Sequence, residues 1–469
     1  MKKFILFLIF LLLYLTYIDA EAQRRTTYQS LLQRSDQPST YIDHLFLPES
    51  DSTAAVAVFF RLDYDFVPFL RIRPNMTPPT PDAEFFSAVR MGLEVFSGRQ
   101  PESRRDAART GTPVFRDSWR DTVWVNSFEE TRSRFNHIQG LLSTTLNTGE
   151  YHYELQLGRG ESTRELPSQR RSLSIPDFSE FEQGHIMLAS SSERSEEKVS
   201  ATLLNYGNNV LYGQNYDMLI LLPADTHQAL AEGSMKVEIH RLQSGSGSDV
   251  VRDAVFTREL SEDDIFIADQ TSIEETDSGV QLHFDKGQNG DGYLYAAITV
   301  PNEEFENARY RVRVLKEGRE TPVARRIINS QWIDMPVSLY NLDVAIEMLR
   351  FIVSDSELRR INSGSASERE RKFREFWAQR DPTPDTEFNE LMAEYYRRID
   401  HAYRNFSSLQ TPGFDTDQGK AYILYGAPLN VERRLPSGSP AREIWEYPNR
   451  TLIFEATTGF GDFRLISES

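Results

Sequence analysis

Glu150-Tyr151-His152-Tyr153-Glu154-Leu155-Gln156-Leu157 sets Tyr151, Tyr153, Leu155 and Leu157 on one side of the chain and polar residues on the other. A period of two is that of a half-buried β-strand. The run follows Leu146-Asn147-Thr148-Gly149, whose glycine suits a tight turn. Upstream, Ala54-Ala55-Val56-Ala57-Val58-Phe59-Phe60 and Val123-Trp124-Val125-Asn126-Ser127-Phe128 are further runs of β-branched and aromatic residues. The Pro-rich piece 73–81 interrupts them as a loop. Repeated short strands with turn signals predict an antiparallel sandwich over residues 40–160.

Between Gly158 and Ser172 the sequence becomes charged and loses its period, which predicts a linker at 161–172. A second β-rich stretch follows, 173–330, with an apolar strand at Asp217–Leu222 and alternation at Lys236–His240. Tyr293–Val300 has a buried character, and Tyr310, Val312 and Val314 share one face of Arg309–Leu315. Ser244–Ser248 reads as a flexible polar loop and Asp285–Gly292 as a glycine-rich turn. Both stretches are expected to be sandwich-like, of the immunoglobulin-like kind.

From Gln331 the period lengthens to that of a helix, so 331–469 is expected to be an α+β module. Leu339, Leu342, Ile346, Leu349 and Val353 mark one helical face, with Asn341 as its N-cap. Ser365-Ala366-Ser367-Glu368 has the spacing of a capping box and opens a helix carrying Phe373, Phe376 and Trp377. Asp381-Pro382 ends it. Phe388, Leu391, Tyr395, Ile399, Ala402 and Phe406 mark a third helix. Strands are expected at 421–425, 443–447, 451–455 and 463–466.

At the other end, Met1–Lys3 is positive, Phe4–Ile18 is apolar and Ala20-Glu21-Ala22 is a small-residue site, the pattern of a cleaved secretory signal over 1–22. The apolar run is shorter than the roughly 20 residues of a spanning helix. A polar lead-in, 23–39, follows. The chain has 469 residues and no cysteine, which excludes disulfides, thiol catalysis and cysteine-based metal sites. A formal charge of −18 opposes nucleic-acid binding. No cofactor is expected.

The densest constellation lies between Phe376 and Gly426. Phe376-Trp377 with Arg380-Asp381-Pro382-Thr383-Pro384, Asn389-Glu390, Glu394-Tyr395-Tyr396-Arg397-Arg398 and Gly413-Phe414-Asp415-Thr416-Asp417 occur there in order. Gly419, Tyr422, Gly426, Pro428, Trp445-x-Tyr447 and Gly459-Phe460-Gly461-Asp462 follow. From Trp332 to Leu465 the sequence resembles the GWxTD domain family of exported bacterial proteins, with Phe414 in the place of the family's tryptophan. The substitution keeps an aromatic plug and loses the indole N–H. The resemblance implies an envelope or secreted protein and carries no established activity. Gly426-x-Pro428 and Trp445-x-Tyr447 also loosely resemble small outer-membrane assembly lipoproteins.

Trp377, Arg380, Asp381, Tyr396, Arg397, Arg398, Phe414, Thr416, Asp417 and Trp445 are therefore the candidate contact residues for a ligand or partner. Asp415 and Asp417, with Glu390 or Glu394, are weak candidates for a divalent cation. The ordinary alternative is that Asp417 caps a turn and pairs with Arg397 or Arg398. Gly419-Lys420 does not make a phosphate loop: Phe414 and Ala421 replace the required glycine and hydroxyl residue, and a strand is expected next. His401 is the one histidine near the constellation, but no nucleophile elbow or H-E-x-x-H pair accompanies it.

The expected role is a non-enzymatic interaction or scaffold module in the periplasm or at the outer membrane, with an envelope protein as partner and no membrane span after signal cleavage. The alternative is an enzyme or cation-dependent binder acting on envelope polysaccharide or peptide. The 20 tyrosines and 29 phenylalanines are expected mainly in sheet cores.

Overall fold

The computed structural model describes residues 27–32, 40–101, 111–128, 130–133, 136–159, 165–167, 170–227, 229, 234–244, 249–287, 292–408, 411–435, 440–458 and 462–469. The expected signal segment 1–22, residues 245–248 of the expected polar loop and residues 288–291 of the turn at 285–292 lie outside these residues. The protein is mostly β, with a helical region and further strands toward its C-terminus. It divides into two compact units: Gln37–Asp334, and Met335–Ser469 together with the N-terminal residues.

In the first unit, Thr40–Ser50, Thr53–Asp63 and His137–Asn147 form an antiparallel three-stranded sheet. Phe85–Ser97 leads a second sheet, flanked by Phe115–Val125 and Gly149–Arg159. The turn before Gly149 is thus not a hairpin. The strand ending at Asn147 pairs with Thr53–Asp63, whereas the strand it leads into pairs with Phe85–Ser97. The chain changes sheets there. Tyr153, Leu155 and Leu157 are buried on the expected face.

The described residues of the expected linker are largely sheet. Glu165–Pro167 and Arg171–Ile175 pair back onto Gly149–Arg159, so their hydrogen bonds stitch this stretch to the first β-region. Beyond it, His185–Arg194, Lys198–Leu203, Gly279–Lys286, Ile265–Thr276, Tyr293–Val300 and Tyr216–Leu222 close a barrel in that order. A five-stranded sheet adds Asn209–Leu211, Ala324–Gln331, Arg309–Lys316, Met235–Ser244 and Asp249–Glu259. One hydrophobic cluster runs from Ile42, Phe60 and Tyr153 to Met187, Phe284 and Tyr295. The two stretches expected as separate sandwiches therefore share a core inside one unit.

The second unit starts with a 3-10 turn, Val337–Tyr340. The first element of its N-terminal part is α1 (Tyr28–Leu32). Helix α2 (Leu342–Met348) is capped by Asn341, whose side-chain oxygen accepts the Asp343 and Val344 N–H groups. Its apolar run then tightens into a 3-10 turn, Leu349–Phe351. Helix α3 (Asp355–Ile361), capped by Ser354, had no counterpart in the periodicity reading. Helix α4 (Ala366–Ala378) opens with the expected box between Ser365 and Glu368.

Helix α5 (Glu390–Phe406), capped by Asn389, buries Ala393, Tyr395, Tyr396, Ile399 and Ala402 and leaves Leu391 exposed. Helix α6 spans Asp417–Tyr425. The expected strand at 421–425 is therefore a helix: Thr416 caps it by accepting the Gly419 N–H, and a five-residue apolar run has no period that separates helix from strand. A four-stranded antiparallel sheet follows in the order Asn430–Arg434, Arg442–Tyr447, Arg450–Thr458, Asp462–Glu468.

Candidate functional site

The constellation gathers around α5. The Tyr395 hydroxyl donates to the Met348 carbonyl at 2.5 Å, and the Tyr396 hydroxyl to the Ala345 carbonyl at 2.7 Å. These carbonyls belong to the last turn of α2, where a helix has no partners of its own. Two neighbouring tyrosines thus close the end of another helix. Trp377 packs on both rings, with centroids 5.4 and 5.8 Å away. The Asn389 amide, while capping α5, donates to the Trp377 carbonyl at 3.0 Å and so joins α4 to α5.

Glycines decide how the next segment arrives. A Cβ at Gly413 would stand 1.9 Å from the Ala402 carbonyl oxygen, and one at Gly419 would stand 1.8 Å from the Gly413 oxygen. The chain can lie this close to α5 and then to itself only without side chains at both positions. Phe414 is buried among Tyr28, Tyr403 and Phe351. The Arg350 guanidinium lies 5.4 Å from its ring centre and 2.8 Å from Asp415. Thr416 donates to the Gly413 carbonyl at 2.7 Å while accepting from Gly419.

The carboxylates expected to hold a cation have gone to separate partners. Asp415 takes Arg350, Asp417 accepts the Leu465 N–H at 3.0 Å, Glu390 accepts from the Thr383 hydroxyl, and Glu394 pairs with Arg398. Among the described residues, no group of three histidines or acids is placed to hold a metal ion. The capping residue is Thr416, and Asp417 instead ties α6 to the last strand. Asp381 forms a local turn with the Thr383 N–H at 3.0 Å. Arg380 folds over Phe376, 3.9 Å from the ring centre, and donates to the Phe376 carbonyl. Arg397 is half-buried on α5.

Gly419 and Lys420 lie in the first turn of a helix, in place of the expected strand. Their N–H groups are taken by the Thr416 hydroxyl and carbonyl and do not form a phosphate cradle. His401 stacks on Tyr422, with centroids 4.0 Å apart, and burial lowers its pKa. Packing against the ring disfavours its charged form.

Two polar groups escaped the sequence reading. Asp400 is buried on α5 and accepts the Tyr28 hydroxyl at 2.8 Å and the Val337 N–H at 2.9 Å. Its signal was an acid four residues after Tyr396, on the apolar stripe. Glu443 is 4% exposed and accepts from Gln418 at 2.7 Å, Trp445 at 3.3 Å and Arg433 at 2.8 Å. Its signal was the alternation Glu443-x-Trp445-x-Tyr447, which puts the acid on the same face as the two aromatics.

The β-rich unit holds a smaller polar cluster. Arg326 pairs with Asp43 and donates to the Ile186 carbonyl and Asn208 side chain. Asp43, His44, Asn205 and Arg326 line a crevice of about 10 Å³, the room of one water.

With this geometry in place, the constellation is the interior of a domain: its aromatics form the core, and its glycines and polar residues fix the helix ends. Residues 336–461 match the GWxTD domain. That part of the chain is a GWxTD domain, with Phe414 where the name of the domain has tryptophan. No curated protein matches it. Among the described residues, no helix is long and apolar enough to cross a membrane.

Proposed function

We propose that this is an exported cell-envelope protein, freed of a signal peptide near Ala22, that works in the periplasm or at the outer membrane as a non-enzymatic interaction module. The GWxTD domain is its docking element, and the β-rich unit, whose first stretch we take as sandwich-like and immunoglobulin-like, is the spacer. Because the aromatic motif residues are consumed in the interior, the docking surface lies elsewhere on the domain.

The observation that carries this reading is the strand Asn430–Arg434. It is an edge of its sheet, bonded on one side among the described residues, with Leu429 74% and Leu435 75% exposed beside it. Val431 is also exposed. An open edge with apolar side chains at its ends suits an extended segment of an envelope protein added as a further strand. Within the strand, Glu432, Arg433 and Arg434 discourage indiscriminate pairing.

Crosslinking in the native envelope tests it, comparing wild type with Leu429→Ser/Leu435→Ser. A defined protein crosslinked to wild type and lost from the folded variant is the expected result. Identical crosslinks in both, or none in either, would remove the docking role. Terminal sequencing of the envelope form checks export separately, with Gln23 as the expected first residue.

A further inference from the structure

The family match begins at residue 336, yet the folded unit to which it belongs includes α1, from the far end of the sequence. Tyr28 is 4% and Leu31 8% exposed, and both belong to the same hydrophobic cluster as Val337, Ile399 and Phe414. The Tyr28 ring packs against Tyr403 at 4.7 Å and edge-on against Phe414 at 5.4 Å. Its hydroxyl ends on Asp400 at 2.8 Å, and the other carboxylate oxygen holds the Val337 N–H. The seat thus has an aromatic wall, an apolar floor and one acceptor at its base.

The segment that fills it is short and self-capped. The Thr27 N–H donates to the Ser30 hydroxyl, the Ser30 N–H to the Thr27 hydroxyl, and the Leu31 N–H to the Thr27 carbonyl. A five-residue helix has no stability of its own in water, so docking must supply it. Gln29 points to solvent, which leaves Tyr28 and Leu31, three apart on one helical face, as the residues that are read.

From this we infer that the domain carries a peptide-recognition site for a short helix bearing tyrosine at its start and leucine three residues later. The chain's own α1 fills it in this structure, and the same segment of a second copy fills it when α1 is out. The contacts of Tyr28 and Leu31 described above lie within the unit, so the donor's covalent origin makes no difference to them. The burial of Tyr28 and its bond to Asp400 also hold its phenol well above the ordinary range, which keeps it a hydrogen-bond donor. The inference stands independently of the scaffold role and of the edge strand.

The test uses the full chain with Tyr28→Ala/Leu31→Ala, checked for folding by circular dichroism, and a fluorescein-labelled peptide with the sequence of residues 25–35. Fluorescence anisotropy is expected to show saturable binding to the variant and at least about ten-fold weaker binding to wild type, whose own segment competes. Replacing the peptide's tyrosine by phenylalanine removes the bond to Asp400 and weakens binding about ten-fold. No saturable binding to the folded variant, or equal binding to both proteins, overturns the site. Light scattering of a mixture of wild type and variant then tests the donor. A complex of the two copies that excess peptide dissolves is expected, and its absence overturns the second-copy occupant.

Discussion

Gly413 sits with its backbone against the Ala402 carbonyl, so close that an added Cβ would lie 1.9 Å from that oxygen. The oxygen is part of the α5 backbone and cannot rotate away as a side-chain end can. The first residue of the domain's signature is thus a contact distance between two chain segments. Gly413→Ala is expected to destabilise the second unit by about 3 kcal/mol. Native-state hydrogen exchange of segments within 390–425 reads this directly, and unchanged protection would refute the steric account.

Neighbouring signature residues differ in weight. Thr416→Ala removes a buried N-cap and a bond to the Gly413 carbonyl, with an expected cost of about 1 to 2 kcal/mol. Asp415→Asn disturbs only a partly exposed pair with Arg350 and should cost less than about 1 kcal/mol. Denaturant titrations of both variants check the order. A larger loss from Asp415→Asn would point to a role for that acid beyond the pair.

Glu443→Gln tests the buried acid of the sheet. The carboxylate accepts on both oxygens, from Gln418 and Trp445 on one and from Arg433 on the other. An amide must turn its NH2 toward one of these donors, which leaves two donors facing each other. A loss of about 2 kcal/mol is expected, with Glu443→Asp keeping the chemistry at a shorter reach. Thermal unfolding followed by near-ultraviolet circular dichroism measures it.

Acid is expected to weaken the β-rich unit through its histidines. Burial lowers His185 from 6.5 to about 3, with Arg326 and His44 beside it, and burial lowers His44 as well, between Asp43, Arg326 and Arg171. Between those pH values the unfolded chain binds protons that the folded chain does not. The stability is therefore fully present above about pH 6.5 and is lost as pH falls toward about 3. His185→Phe should reduce the loss between pH 6.5 and 4.5 by up to about 2 to 3 kcal/mol. Urea midpoints of both proteins decide it, and parallel pH curves would be the contrary result.

The sequence made the helix caps at Asn341 and Ser365 legible because the side chain and the N–H it binds are local. Strands such as Gly149–Arg159 were legible through alternation, but their partners were not. Pairing is a long-range property, and the turn before Gly149 looks the same whether it closes a hairpin or carries the chain between sheets. The segment 421–425 is helix for a different reason: five apolar residues fit either period, and the cap that decides them, Thr416, lies inside the signature itself. Trp377, Tyr396 and Trp445 were expected at a contact surface. Their types and spacing show a constellation, whereas burial is what makes it a core.

The seating of Tyr28 also orders events during synthesis. Tyr28 is made early, but Asp400, Tyr403 and Phe414 leave the ribosome hundreds of residues later. At about 5 to 20 residues per second that interval is on the order of tens of seconds. Through all of it the first turn has nowhere to fold. The opening residues must be kept from aggregation and proteolysis until the last third of the chain arrives, and damage at either end of the gene falls on the same folded unit.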